Sequence, residues 1–498
     1  MLSRITCFAL DGLTPRRVTV EVDLRTGLPA LTIVGRADAA VRESRERVHS
    51  ALLNSGFDFP QRRITVNLAP AQLRKQGPGF DLATACGILA ASGQVPGDRL
   101  ARWAVFGELS LGGELRPCGG ALAAAEGARA AGLAGIIVPW ACADEAGIVQ
   151  GLEVAAGRTL VDVAAFLRGA APRTPPPACG DVAGQAPDVD LADVRGHAGA
   201  IRALEISAAG GHNILLSGPP GTGKTMLARR IPSILPALDP QEALEVTRIH
   251  SITGLRVGGG LVRQAPFRAP HHTISAAGLV GGGSAPFPGE ATLAHRGVLF
   301  LDELSEYGRP ALEALRQPLE DGHVTIVRGQ RGVRFPTRVM LAAATNPCPC
   351  GHGGSTCRCT TADLARHRRR LSGPLLDRLD VLVAVHRPTA AELAAAPVAR
   401  SADVRDRVAE ARARQRARTG GPNASATAEA LTPLLAASAA GLLREVYERG
   451  TLSARGRVRA LRVARTIADL EGARDIAADH VLEALGLRHE QADVSVAA

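Results

Sequence analysis

A chain of 498 residues is long enough for about three domains, each with its own buried core. Its 58 Lys and Arg against 48 Asp and Glu leave a formal charge of +10, which excludes an acidic solvating protein and points either to a polyanionic partner or to an Arg-decorated surface. No run of about 18 apolar residues is present to span a bilayer, the N-terminus holds no apolar signal core, and nine cysteines, four of them crowded into 348–359, are unlike a secreted disulfide framework; a cytoplasmic protein is expected.

Residues 1–168 alternate short β-type runs (Arg17–Val22, Leu31–Val34, Arg63–Leu68) with Ala-rich helical stretches, the pattern of an α/β domain. Residues 169–188, with Pro172, Pro175, Pro176, Pro177 and Pro187 among Ala and Gly, have little to bury and predict a linker. From 189 to 390 strands and helices alternate again. The runs Asn213–Ser217, Gly297–Leu301 and Val339–Ala343 are continuously apolar, as strands of a parallel sheet covered on both faces must be. Residues 391–498 read as helix only, broken near Gly420-Gly421-Pro422 and Gly450.

Chemistry concentrates in the second α/β region. Gly218-Pro219-Pro220-Gly221-Thr222-Gly223-Lys224-Thr225 follows an apolar strand and opens a helix, the context a phosphate-binding loop requires. Its glycines let backbone N–H groups wrap phosphates at a helix N-terminus, Lys224 reaches the outer phosphates of ATP, and the Thr225 hydroxyl can ligate Mg2+. The strand 297–301 ends in Asp302-Glu303, a Mg2+-holding carboxylate followed by one placed to polarise water. The strand 339–343 delivers Thr345-Asn346, whose amide can orient water and sense the terminal phosphate, although Asn also turns chains.

Between these strands, 323–335 reads as two β runs around Gly329-Gln330-Arg331-Gly332, a hairpin with Arg328 and Arg331 at its tip. Cys348, Cys350, Cys357 and Cys359 offer four thiolates within one short segment, with His352 as an alternative ligand. They suit either a structural Zn2+ site or a reduced cysteine loop, because the doublets are tighter than common zinc spacings. The basic run 367–370 follows and suits either nucleic-acid contact or a solvated helix face.

The order of phosphate loop, acidic pair and polar sensor resembles the AAA+ ATPases. The segments 297–304, 344–351 and 372–380 look like the magnesium-chelatase-like YifB/ComM family, and the resemblance covers nearly the whole chain. It implies a Lon-protease-like α/β domain at 1–168, an AAA+ core at 189–390 and a helical lid at 391–498. It makes Arg378 an arginine finger acting on a neighbouring subunit in a homo-hexameric ring, and Arg455 a second sensor, with Arg457, Arg459 and Arg462 close by. By analogy with ring helicases, Arg328 and Arg331 would grip a DNA backbone in the pore, while 268–273 and Gly278–Gly283 form an inserted loop facing it. Lon-type proteases place a Ser just after a Gly-Pro and a Lys in a later Gly-Gly segment. Here Gly79 follows Gly77-Pro78 and Gly119–Ala123 holds no Lys, so the domain reads as a non-proteolytic assembly or DNA-binding module, in which Arg62, Arg63, Arg74 and Lys75 suit either a DNA surface or an ordinary charged rim.

The function implied is a DNA helicase or branch-migration motor of natural transformation, with single-stranded or branched DNA and recombination proteins as partners. Its rivals are a metal-insertion ATPase like that of magnesium chelatase and a nucleotide-gated DNA-binding scaffold.

Overall fold

The computed structural model describes residues 1–36, 38–171, 189–255, 259–283, 286–328, 331–354, 357–370, 373–450 and 452–496. The predicted linker therefore falls almost wholly outside the described residues. The chain forms two compact units, one of Met1–Ala183 with Asp239–Arg263 and the other of Gly184–Leu238 with Gln264–Ala498. No helix among the described residues is long and apolar enough to cross a membrane.

The first unit is built on a seven-stranded mixed sheet. Its strands run across the sheet as Ala30–Val34, Arg63–Ala69, Thr14–Arg25, Leu2–Asp11, Trp103–Val105, Gly135–Pro139 and Glu153–Gly157. Leu2–Asp11 and Thr14–Arg25 pair as a hairpin from Leu2↔Asp23 to Asp11↔Thr14. Val18, Val20, Val22 and Leu24 alternate inward, giving the period of two that one buried face demands. Against that face lies the helix Asp81–Ala91, so close that a Cβ on Gly87 would meet Val22 and Ile5 within 3 Å. Asp81 is fully buried at its first turn and takes both nitrogens of the Arg47 fork, at 2.7 and 3.1 Å. Gly79, at the place where a Lon-type protease carries its Ser, packs on the Phe106 ring with only 2.7 Å for an added Cβ.

Lys75 corrects an expectation. Its side chain is 0 % exposed and bonds the Pro70 carbonyl, so it offers nothing to a DNA surface.

Residues 239–263, counted with the second α/β region on sequence, leave it and join the first unit. Asp239 caps the helix Pro240–Ile252 in a capping box with Glu242. Arg248 pairs with Glu126, and Ser251 donates to the buried carboxylate of Glu145 while accepting from Gly120 N–H at 3.1 Å.

In the second unit five parallel strands run in the order Phe267–Arg268, Val298–Leu301, Met340–Thr345, Ile214–Ser217, Val381–Ala384. Their side chains are almost all buried, as expected for a sheet covered by helices on both faces. The helices Ser401–Thr419, Ala437–Glu448, Ala454–Leu470 and Ala478–Val496 complete the unit. Ser401–Thr419 and Ala454–Leu470 are tied together, with the turn at Asn423, by Asp469, which receives Arg465 at 2.8 and 3.1 Å, Arg418, and Asn423 Nδ2 at 2.8 Å. Removing this carboxylate strands the buried Arg465 guanidinium. Asp469→Ala should therefore cost about 3–5 kcal/mol in denaturant unfolding, and a loss below about 1 kcal/mol would deny Asp469 that role.

Candidate nucleotide site

Because the five strands are parallel, their C-terminal ends share one edge, where α/β sheets place their ligands. Ser217 leads into the phosphate loop, Leu301 into Asp302-Glu303, and Thr345 into Asn346. The sensor strand lies between the acidic strand and the phosphate-loop strand, so the three ends are neighbours.

The loop's glycines are dictated by space and backbone angle. A Cβ on Gly218 would lie 2.2 Å from the Val385 carbonyl oxygen, and Gly221 and Gly223 have φ of +75° and +87°. Lys224 opens the next helix and folds its ammonium back to donate to the Gly218 carbonyl (2.6 Å), the Pro219 carbonyl (2.8 Å) and Asn346 Oδ1 (3.2 Å). Burial holds its pKa below the ordinary lysine value, with Asp302 and Glu303 opposing. The Thr225 hydroxyl donates to Asp302 Oδ2 at 2.7 Å. Hydroxyl and carboxylate thus converge as a hard-cation site for Mg2+ needs, and the residues present fit that ion.

Glu303 is one of three non-glycine residues with positive φ among the described residues, at +51°, a conformation disfavoured for a side chain this long and often retained at functional sites. Its N–H donates to Asp302 Oδ1 at 3.0 Å, and His272 Nδ1 stands 3.5 Å from its Oε2. His272 stacks on His271 and meets the edge of Tyr307, whose hydroxyl donates to the Pro270 carbonyl. Burial, with the charges of Asp302 and Glu303, pushes the Tyr307 phenol above its ordinary value. The His271-His272 pair therefore belongs to the acidic strand's surroundings. Sequence reasoning missed the role of His272; its only signal was the His pair itself, upstream of the acidic strand.

Arg378 is 10 % exposed and forms an ion pair with Glu320 in the same chain, while Asn213 Nδ2 holds its carbonyl at 2.8 Å. Two residues on, the buried Asp380 gathers His212 Nδ1 (3.6 Å), Arg459 Nε (3.5 Å) and the Asn213 N–H (3.2 Å). Burial works to raise the Asp380 carboxyl, yet these donors hold it below the usual carboxylate range. Arg488 donates to the Leu379 and Asp380 carbonyls, so two of the C-terminal helices, Ala454–Leu470 and Ala478–Val496, grip the end of this segment. Arg455 stands exposed in the first turn of the helix Ala454–Leu470, and it is Arg459 that reaches Asp380.

The predicted hairpin is present as antiparallel strands His323–Arg328 and Arg331–Pro336, in register from His323↔Pro336 to Arg328↔Arg331. Gly329-Gln330 and the side chains of Arg328 and Arg331 lie outside the described residues. Gly281 of the glycine-rich insert sits against Ile326 of the hairpin, where a Cβ would come within 2.8 Å. The sulfurs of Cys348, Cys350, Cys357 and Cys359 all lie within 4.8 Å of one another, and His352 is not among that group.

Three family models match the chain. That for magnesium chelatase, subunit ChlI, covers residues 190–393, a second ChlI model covers 20–141, and the ChlI C-terminal model covers 398–488. YifB of Escherichia coli is 43% identical over 494 residues, spanning 98% of this chain and 97% of that protein. The chain belongs to the YifB/ComM family of magnesium-chelatase-like proteins. A Mycobacterium tuberculosis protein is 43% identical over 98% of both chains, and the competence protein ComM of Haemophilus influenzae is 41% identical over 96% of this chain and 95% of its own length. The YifB/ComM assignment implies an AAA+ ATPase that uses ATP and Mg2+, in agreement with the mixed α/β architecture and its parallel sheet.

Proposed function

We propose that this chain is the protomer of a hexameric, ATP-driven DNA motor that moves strands of branched or single-stranded DNA in the cytoplasm during uptake of exogenous DNA. The observation that carries the ATPase half is the meeting of Lys224, Thr225, Asp302, Glu303 and Asn346 at one sheet edge. In this reading the loop 218–225 binds the phosphates of ATP, and Thr225 with Asp302 would hold Mg2+. That ion supplies positive charge against the phosphate oxygens. Lys224 and Asn346 orient the terminal phosphate, and Glu303 takes the proton of the attacking water. Arg378 of a neighbouring subunit would complete the site, and Arg455 would read nucleotide from the lid. The four clustered cysteines would hold Zn2+.

The DNA half rests on the likeness to ComM, a competence protein, on the formal charge of +10 and on the hairpin that sequence ends in Arg328 and Arg331. Contacts from these arginines to phosphates would be sequence-independent and salt-sensitive. Recombination proteins are the natural partners of such an activity.

Steady-state ATP turnover with single-stranded, duplex and branched DNA, with strand movement followed in parallel, tests the reading. Wild type should show DNA-stimulated turnover and movement. Arg328→Ala/Arg331→Ala should keep its basal turnover and lose both responses, with DNA affinity reduced about 10-fold or more. The ChlI matches favour one rival, a metal-insertion ATPase. Turnover indifferent to every DNA, without movement, turns the reading toward that rival or toward a nucleotide-gated scaffold.

A further inference from the structure

We propose that the four-cysteine knuckle is a metal-built buttress of the phosphate loop, so that nucleotide affinity depends on the ion the knuckle holds. The inference rests on the ATP-site reading above and on the four thiolates closing around one ion.

The donor geometry suits a single tetrahedral soft cation. Zinc–sulfur bonds of about 2.3 Å in a tetrahedron set sulfur–sulfur edges of about 3.8 Å. The Sγ separations are 3.2 Å for Cys348–Cys350, 3.6 Å for Cys348–Cys357 and 3.8 Å for Cys350–Cys357. Backbone N–H groups already point at sulfur, Cys350 N to Cys359 Sγ at 3.3 Å and Gly353 N to Cys348 Sγ at 3.4 Å. Such donors support thiolates that ligate metal. A group made of thiolates alone selects zinc and other soft ions over Mg2+.

What surrounds the knuckle turns a structural site into a coupled one. The chain enters it directly from Asn346, through Pro347 to Cys348. Gly351, with φ +83°, lies on Pro220 of the phosphate loop so closely that a Cβ would stand 2.8 Å from that ring. Beyond Cys359 the chain enters the helix Thr361–Arg370, whose buried His367 places Nε2 3.1 Å from the Asn346 carbonyl oxygen. Asn346 in turn accepts from Lys224. The knuckle thus meets the nucleotide site at Pro220, and the helix that follows it meets that site at Asn346. Among the described residues, the backbone of the segment Cys348–Cys359 is closed by local turns, Gly351 N to Cys348 O at 2.9 Å and Cys357 N to Gly354 O at 3.1 Å. Removing the ion releases the loop's support as well as the knuckle itself.

The test uses the full-length chain purified without chelator. Its metal is counted by mass spectrometry, and binding of a fluorescent ATP analogue is measured before metal removal, after it, and after zinc is returned. The expected result is about one zinc per chain, with nucleotide affinity falling at least about tenfold on removal and recovering on return. Gly351→Ala should keep its zinc and still bind the analogue about tenfold more weakly, which separates pressure on Pro220 from loss of a ligand. Cys357→Ser should lose zinc and show the weakened binding of the stripped protein. Metal-free wild type that binds nucleotide normally overturns the metal site. A zinc-loaded wild type whose affinity is unmoved both by stripping and by Gly351→Ala overturns the buttress while leaving the metal. Failure of zinc-loaded wild type to bind the analogue at all overturns the ATP-site reading instead, and the buttress with it.

Discussion

Glu303→Gln is expected to bind ATP as tightly as wild type and to turn it over about 10²–10⁴-fold more slowly. The carboxylate sits one residue beyond the side chain bonded to Thr225, on a backbone held at positive φ, and it is the more exposed of the two, at 58 %. That placement lets it face a water without competing for the cation. The amide keeps the shape and can still orient water, but it cannot take a proton, so binding and turnover should part. Equilibrium binding of a fluorescent nucleotide beside steady-state phosphate release makes the comparison. Turnover within a few-fold of wild type would remove Glu303 from the role and leave its strained backbone without a chemical reason. His272, 3.5 Å from Glu303 Oε2, sits where it can hold that carboxylate.

The parts of the site that were legible in the sequence are those whose chemistry is local. A phosphate loop is a strand, a turn and a helix start in one stretch, so Gly218–Thr225 declared itself, and the structure folds Lys224 across that same stretch. Asp302 and Asn346 were readable because apolar strands deliver them, and parallel strands share an edge. The cysteines were readable because a tetrahedral site can close within one short segment. Contacts made across long separations left no such mark. Nothing in the run 239–263 shows that its Ser251 and Arg248 answer to Glu145 and Glu126, more than a hundred residues earlier. His272 was legible only as one of a His pair in an inserted loop until the fold set it beside Glu303. Lys75 looked like surface charge because sequence reports a residue's type but not whether a backbone carbonyl waits in the interior to receive it. The Asp380 network was hidden for the same reason, since Arg459 and Arg488 reach it from helices that sequence could only describe as Arg-rich.

Arg378→Ala should lower ATP turnover by about 10³–10⁵-fold if the guanidinium stabilises charge on a phosphoryl group in the next subunit. Within its own chain Arg378 is mostly buried and paired with Glu320, so loss of activity alone would also follow from a damaged fold. Two further measurements separate the causes. A purely structural pair predicts a loss of about 1 kcal/mol in unfolding stability, since Glu320 is half exposed, and the same turnover defect in Glu320→Gln. A finger acting in trans predicts that Glu320→Gln, which leaves the guanidinium in place, keeps most of its turnover. The decisive arm mixes two inactive proteins, Arg378→Ala and Glu303→Gln. If the finger acts in trans, each site draws its glutamate from one subunit and its arginine from the neighbour, so in a randomly mixed ring roughly a quarter of the interfaces regain both. Turnover should reappear on mixing in that proportion. A mixture as inactive as its components, though it assembles, would place Arg378 inside its own subunit's structure and require another source for the positive charge.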